Sequence, residues 1–439
     1  MTEQAPTSDQ APAQDIPLPA SPLAIPDYRR FWLARCSSVF ATSGMVVVLG
    51  YQLYDLARGT YGMSIRAAAL QLGLLGLVQF LPQILFAPVA GVVADRFDRR
   101  NVCAIFTAID VLVALALAVL TLCNALTLFA LFALAATHGM VRTFIGPAQS
   151  SIAPNVVPAA LMPRAVAISA MAWQTGSVAG PALAGVLFGL DHALPYAMAA
   201  GLLLFATISL ARIRRVPPPP GNAHAHPLRQ MSEGMVYVWR DRFLFGCVTL
   251  DLFAVLLGGA TALLPVYARD ILTWNGHAVG AYGLGVMRAM PSLGAAAVGL
   301  IIARRPIERD VGARMLLAVA AFGLATVGFG LSRNFALSLG FLAALGAADM
   351  VSVFIRNTLV QLHTPDAVRG RVSAISGLAI SASNELGEME SGVAAALFGA
   401  TGAVLFGGIG AVVVTVAWTL AFPELRRVRS FSTTYADPG

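Results

Sequence analysis

Lysine is absent from this 439-residue chain, so all 29 of its basic residues are arginine. That absence excludes the phosphate-cradling Gly-x-x-x-x-Gly-Lys loop, and with it bound ATP as the energy source. Charge of either sign is scarce: 12% of residues are charged against 57% hydrophobic, with a mean hydropathy of +0.74. A soluble chain of this length could not bury that much apolar surface in its own cores. Cysteine is rare too. Cys36, Cys103, Cys123 and Cys247 stand singly, which suggests neither a disulfide framework nor a Cys-x-x-Cys metal site. No nucleophile is paired with a histidine and no His-x-x-Glu-His pattern occurs, so no enzyme chemistry, cofactor or metal is expected. His224 and His226 sit in a proline-rich stretch, and His138 stands alone in an apolar run.

What the chain has is long apolar segments. A hydrocarbon core of roughly 30 Å needs about 20 apolar residues in helix. Twelve windows qualify: 31–56, 70–93, 102–122, 126–148, 165–190, 194–210, 243–268, 278–303, 313–331, 335–359, 371–399 and 402–421. Their apolar runs are continuous rather than alternating, which selects helices over a barrel. The expected fold is an all-α membrane protein of twelve transmembrane helices. The expected organisation is a tail over 1–27 without a signal-peptide pattern, a bundle over 28–211, a linker over 212–242, a second bundle over 243–421 and a tail over 422–439. Pro217–Pro220 in the linker disfavour helix there.

Arginine is distributed unevenly over the loops. Arg58, Arg66, Arg269 and Arg333 alone fall on one side, Arg35, Arg142, Arg288 and Arg356 fall within spans, and the rest lie on the side of the two tails. The positive-inside rule then places both termini in the cytoplasm. The net charge of +7 belongs to that face and to its anionic lipids, so a bilayer rather than a nucleic acid is the expected partner.

The two halves repeat. At one constant offset Pro158 aligns with Pro365, Arg164 with Arg371, Ser169 with Ser376, Gly180 with Gly387, Gly185 with Gly392 and Val186 with Val393. An even number of spans separates the copies, so both run in the same direction, the parallel duplication of transporters whose halves rock about a central site.

Gly91 to Asn101 is a charge-dense turn carrying Asp95, Arg96, Asp98, Arg99 and Arg100 between two spans. It resembles the loop motif between the second and third helices of the major facilitator superfamily, with a degraded second copy at Gly299 to Arg305. Gly176 to Gly185, containing Gly180-Pro181, resembles the fifth-helix motif of that superfamily's drug and proton antiporters. Pro147-Ala148, Val157 to Arg164, Trp239-Arg240-Asp241, Leu264 to Ala268 and Ser383 to Glu388 resemble its enterobactin-exporter and macrolide-efflux branch. One departure is the basic residue that antiporters place early in the fourth helix: here Arg142 lies well down that span. The resemblance implies a bacterial inner-membrane exporter that exchanges a small molecule for protons. A siderophore or similar amphipathic metabolite leads, with multidrug or macrolide efflux next and a non-transporting receptor or scaffold as a different class. A periplasmic or outer-membrane efflux partner belongs to the same implication.

Candidate site residues follow from charge at membrane depth. Glu385 and Glu388 lie one helical turn apart near mid-span, and Glu388 holds the repeat position of Pro181. Ionisable groups there are costly unless paired or hydrated, so these two, with Asp251 and Asp349, are the candidates for proton carriage; a static ion pair of Glu388 with Arg288 or Arg356 is the alternative. Arg142, Arg288 and Arg356 could bind an anionic or catecholate substrate, whereas Asp251, Asp349 and Glu385 could bind a cationic drug, and the charges alone do not choose; Gln52, Gln174 and Trp173 are further cavity candidates. Gly91, Asp95, Arg96, Arg99, Arg100 and Arg371 are candidates for a gate or latch, in which Asp95 would pair with Arg369 or Arg371. Gly176, Gly180, Pro181 and Gly185 would permit close packing or bend the fifth helix. Asp110 reads as an interhelical brace.

Overall fold

The structure, a computed structural model, describes residues 21–150, 152–216 and 227–431. Among the described residues, ten helices are long and apolar enough by composition to cross a membrane. The last of them, Arg371–Ala421, is two helices joined at Gly399, whose φ of 77° breaks the helix. Met162–Leu190 is a further long helix, diluted by Trp173, Gln174 and a row of small residues. The resulting twelve helices are α1 Pro26–Gly59, α2 Ile65–Arg96, α3 Arg99–Leu122, α4 Leu128–Ser150, α5 Met162–Leu190 and α6 Leu194–Ala211. They continue with α7 Arg242–Ile271, α8 Gly280–Arg304, α9 Val311–Leu331, α10 Phe335–His363, α11 over 366–398 and α12 over 400–421.

α2, α3 and α7 begin ahead of their apolar windows, and polar side chains cap these starts and that of α10. Ser64 accepts from the Ala67 N–H, Asp98 from Arg100, Asp241 from Leu244 and Asn334 from Leu337. Each satisfies a backbone donor that the helix leaves unpaired at the membrane surface. The exposed faces are apolar: Leu317, Leu324 and Leu331 recur every two turns on the outside of α9, where lipid tails replace water.

The expected linker carries a helix beyond its proline run. Pro227–Arg240 forms a helix, with Pro227 at its first position, where a missing N–H costs nothing. The proline run at 217–220 and His224 and His226 lie outside the described residues. Gly234 of this linker helix packs against Arg371, at the start of α11. Between the linker helix and α7, burial alone would raise the Asp241 carboxyl. The His363 ring at 2.8 Å and the Leu244 N–H outweigh it and hold the acid below its usual range.

The first six helices form one bundle and the last six a second. The ends of α1, α3 and α6 meet at an arginine-rich face, where Arg30 donates to the Arg212 carbonyl and Arg100 to the Ile213 carbonyl. The bundles meet along two seams, α2 with α11 and α5 with α8.

Candidate functional site

Glycine sets how closely the seams approach. A Cβ on Gly185 of α5 would lie 2.5 Å from the Ala281 carbonyl oxygen and 3.0 Å from the Gly285 Cα of α8. On the other seam a Cβ on Gly73 of α2 would lie 2.8 Å from the Gly392 Cα of α11. Gly185 and Gly392 are the repeat-related pair, so both copies supply the same backbone contact near the face away from the arginines. Gly176 and Gly180 instead face α1, where Ser43 donates to the Gly176 carbonyl at 2.9 Å. α5 stays helical through Pro181.

That opposite face is also closed by charge. Tyr54 donates to Asp270 at 2.5 Å, Arg58 lies 3.5 Å from Asp270, and Arg269 lies 3.1 Å from Asp55. These contacts tie the end of α1 to the end of α7. Sequence reasoning treated Arg58 and Arg269 only as loop charges and missed them as a cross-bundle clamp; their acidic neighbours Asp55 and Asp270 were the available signal.

Below the clamp lies a cavity of about 520 Å³, lined by Ser38, Thr42, Gln149, Trp173, Ser177 and Pro181, among others. Ser38 and Gln149 carry it toward the arginine-rich face. A second lobe of about 390 Å³ shares Thr261, Arg288, Pro291 and Ser292 with it and adds Gln174, Asp349, Asn384 and Glu388. The two lobes are of a size that encloses a small organic molecule. α7 supplies the shared wall because it breaks at Gly258 and Gly259. A side chain at Gly259 would collide with α11, and the carbonyls freed by the break are taken by side chains: Arg288 donates to Thr261 at 3.2 Å and Ser391 to Gly259 at 3.1 Å.

The paired carboxylates sit at this junction. Glu385 accepts from Arg142 of α4 at 3.2 Å and from Gln83 of α2 at 3.4 Å, so two donors of the first bundle hold one acid of the second. Arg142 is 47% exposed and Glu385 11%. Glu388 lies 3.7 Å from Arg288 of its own bundle and faces Gly76 of α2. Trp173 is 56% exposed on the cavity wall, and Gln174 donates to the Ser292 carbonyl at 2.8 Å across the α5–α8 seam.

Other expected residues are placed elsewhere. Arg356 is buried against Asp251 inside the second bundle and is absent from the walls of both lobes, because a buried guanidinium there needs the adjacent carboxylate. Asp251 shares a small pocket with Asp349, Val319 and Phe322 behind the second lobe. Gln52 is also removed from the cavity walls: it donates to Thr121 and accepts from Tyr196, joining α1, α3 and α6. Of the turn residues, Arg100 pairs with Asp98 at 3.6 Å, Gly91 has open space around it, and Arg96 is exposed. Arg99 has a buried Nε without a hydrogen-bond partner among the described residues. Arg371 lies 3.1 Å from Glu233 of the linker helix. The side chains of Asp95 and Arg369 lie outside the described residues. His138, expected to stand alone, meets Asp110 at 2.9 Å.

Two helical bundles enclosing one central, partly charged cavity define a membrane transporter rather than an enzyme. The chain belongs to the Major Facilitator Superfamily, whose profile matches residues 31–388. It is 26% identical over 413 residues to the enterobactin exporter EntS of Citrobacter koseri, covering 92% of this chain and 94% of that one. The EntS protein of Escherichia coli O139:H28 matches to the same extent. Among solved structures, a bacterial homologue of the human lysosomal transporter Spinster, inward-facing and occupied, superposes with a TM-score of 0.72 at 14% identity, covering 93% of this chain and all of that one. A POT family transporter bound to 5-aminolevulinic acid gives 0.70 at 13% identity, covering 91% and 96%. These two share the fold.

Proposed function

We propose that this chain is a bacterial inner-membrane exporter, with both termini cytoplasmic, that moves a siderophore or similar amphipathic molecule outward in exchange for protons. The observation that carries the reading is Glu385, an acid of one bundle held by Arg142 and Gln83 of the other, one turn from Glu388. Protonation of Glu385 and Glu388 removes the charges that Arg142 and Arg288 hold, which frees the bundles to rock and leaves both arginines to a ligand bearing phenolate or carboxylate groups. One charge crossing the membrane contributes ~2.3 kcal/mol per 100 mV, enough for useful accumulation with one or two protons. The exporter name of the relatives supports a catecholate cargo. The turn from Gly91 to Asn101, together with Arg371, would gate the arginine-rich face, and a periplasmic or outer-membrane partner would receive the product.

The test is enterobactin flux into inverted proteoliposomes under an imposed pH gradient. Gradient-driven flux is expected, abolished in Glu388→Gln while ligand binding persists. Flux of a macrolide but not of enterobactin would move the assignment to drug efflux. Absence of flux with both, together with tight binding of a protein partner, would favour a scaffold.

A further inference from the structure

Asp110 on α3 and His138 on α4 are both buried at the membrane interior and joined through Nδ1 and Oδ1 at 2.9 Å, and both line the 520 Å³ cavity. The second ring nitrogen, Nε2, is buried and has no hydrogen-bond partner among the described residues. A mere brace has no need of this chemistry: two apolar residues, or a neutral amide pair, would join the helices without leaving a polar atom unsatisfied in lipid. What the pair offers is two charge states. With a proton on both ring nitrogens it is neutral overall; without one of them it carries a single negative charge.

The nearest charged neighbour on the same helix is Arg142, four residues beyond His138 and therefore on the same face. Arg142 lines the same cavity and reaches across to Glu385. We propose that Asp110 and His138 form a proton-binding pair that decides whether Arg142 engages Glu385. When the pair is neutral, Arg142 is drawn across the cavity to Glu385, with Glu388 one turn beyond it, and the bundles are bridged. When the pair loses its proton, a second anion stands one turn away and draws the guanidinium back into the first bundle. The surroundings leave that competition undisturbed. α2 and α6 carry no charged side chain at this level, and the Tyr196 of α6 is engaged with Gln52 near the opposite face. Arg35 of α1 donates to Gln149. Across the cavity Arg288 is occupied by Glu388 and the Thr261 carbonyl.

The inference rests on the reading that the bundles rock, but it concerns a different proton site from Glu385 and Glu388, and its test needs no substrate. Spin labels at Ser150→Cys and Leu362→Cys, in the full chain with its four native cysteines replaced, report the separation of α4 and α10 at the arginine-rich face. In liposomes taken from about pH 5 to about pH 9, a range that brackets ordinary imidazole titration, the wide separation is expected to give way to a narrower one as pH rises. Both variants should abolish the shift, in opposite directions: Asp110→Asn, which cannot present the second anion, should hold the wide state throughout, and His138→Gln, which leaves the Asp110 carboxylate without its imidazolium, should hold the narrow one. Nitrogen NMR of histidine-labelled unmutated protein guards against a misfolded variant: one imidazole should titrate with the midpoint of the distance change. A pH-independent separation in the unmutated protein, or an unaltered shift in a folded His138→Gln variant, overturns the proposal. If distances move with pH while proton-driven enterobactin flux is absent, the exporter reading fails and this pair stands.

Discussion

The two seams between the bundles solve the same steric problem and differ in charge. Gly185 on α5 and Gly392 on α11 are equivalent positions of the repeat, and each lets two backbones touch near the opposite face. Away from that contact, the α5–α8 seam is joined by a neutral bond from Gln174 to Ser292, whereas the α2–α11 seam holds Glu385 and Glu388 with arginine partners from both bundles. Close packing therefore does not require the carboxylates, because the sister seam packs without them. Charge placed at that depth on one side only is costly, so packing alone does not account for it.

The most severe way to break the comparison is to fill both contacts. Gly185→Leu and Gly392→Leu each drive a side chain into a facing backbone, where overpacking costs about 1–3 kcal/mol or more. Both variants should prevent closure of the opposite face to a similar degree. A cysteine at Ser177, on the cavity wall, should then react with an impermeant maleimide added on that side, as it does not in the parent. Equal labelling of parent and variants would show that the glycine contacts do not close the pathway.

How far the sequence anticipated this arrangement depends on the kind of interaction. The twelve spans were legible because lipid demands continuous apolar runs, and α2 and α3 begin ahead of the expected windows by the few residues that Ser64 and Asp98 cap. The linker helix was hidden by the neighbouring prolines, although Met235, Val238 and Trp239 recur at helical spacing. The repeat located Gly185, Gly392 and the anomaly of Glu388. It could not pair side chains across helices. Asp110 and His138 are nearly equidistant from the turn at 123–127, so aligning α3 and α4 as an antiparallel hairpin would have brought them together. Gln52 and Arg356 were indistinguishable from cavity residues by composition, since a polar side chain in a span faces either a pathway or a partner within its own bundle. The partners, Tyr196 with Thr121 and Asp251, decide which.

A milder intervention sharpens the contrast in charge. Glu385→Gln keeps the shape but leaves Arg142 without its anion across the bundles, and proton-driven flux is expected to fall at least about tenfold with a flattened pH profile, the scale of a lost charge-assisted bond. Gln174→Ala removes the neutral bond of the other seam and should lower flux by about two- to tenfold with the pH profile retained, since one neutral hydrogen bond contributes about 0.5–1.5 kcal/mol net. Parallel flux measurements over pH on the two variants separate the seams. Equal losses would mean that both serve packing alone.

The smallest expected effect lies at the clamp, where the seams end. Asp55 and Arg269 are 42% and 25% exposed and lie beside water, so screening limits their pair to about 0.2–1 kcal/mol. Asp55→Arg or Arg269→Asp alone should shift the closed face toward opening by a factor of about two to five at low salt, and the effect should fade as salt screens the charges. The double exchange restores opposite charges and should recover most of the closure, read by maleimide labelling at Ser177→Cys from the opposite side. Asp270 sharpens the test, because it is held by both Tyr54 and Arg58 and its loss should cost more than that of Asp55. If the double exchange is no better closed than the single variants, the glycine contacts alone shut that face and the charges there only mark topology.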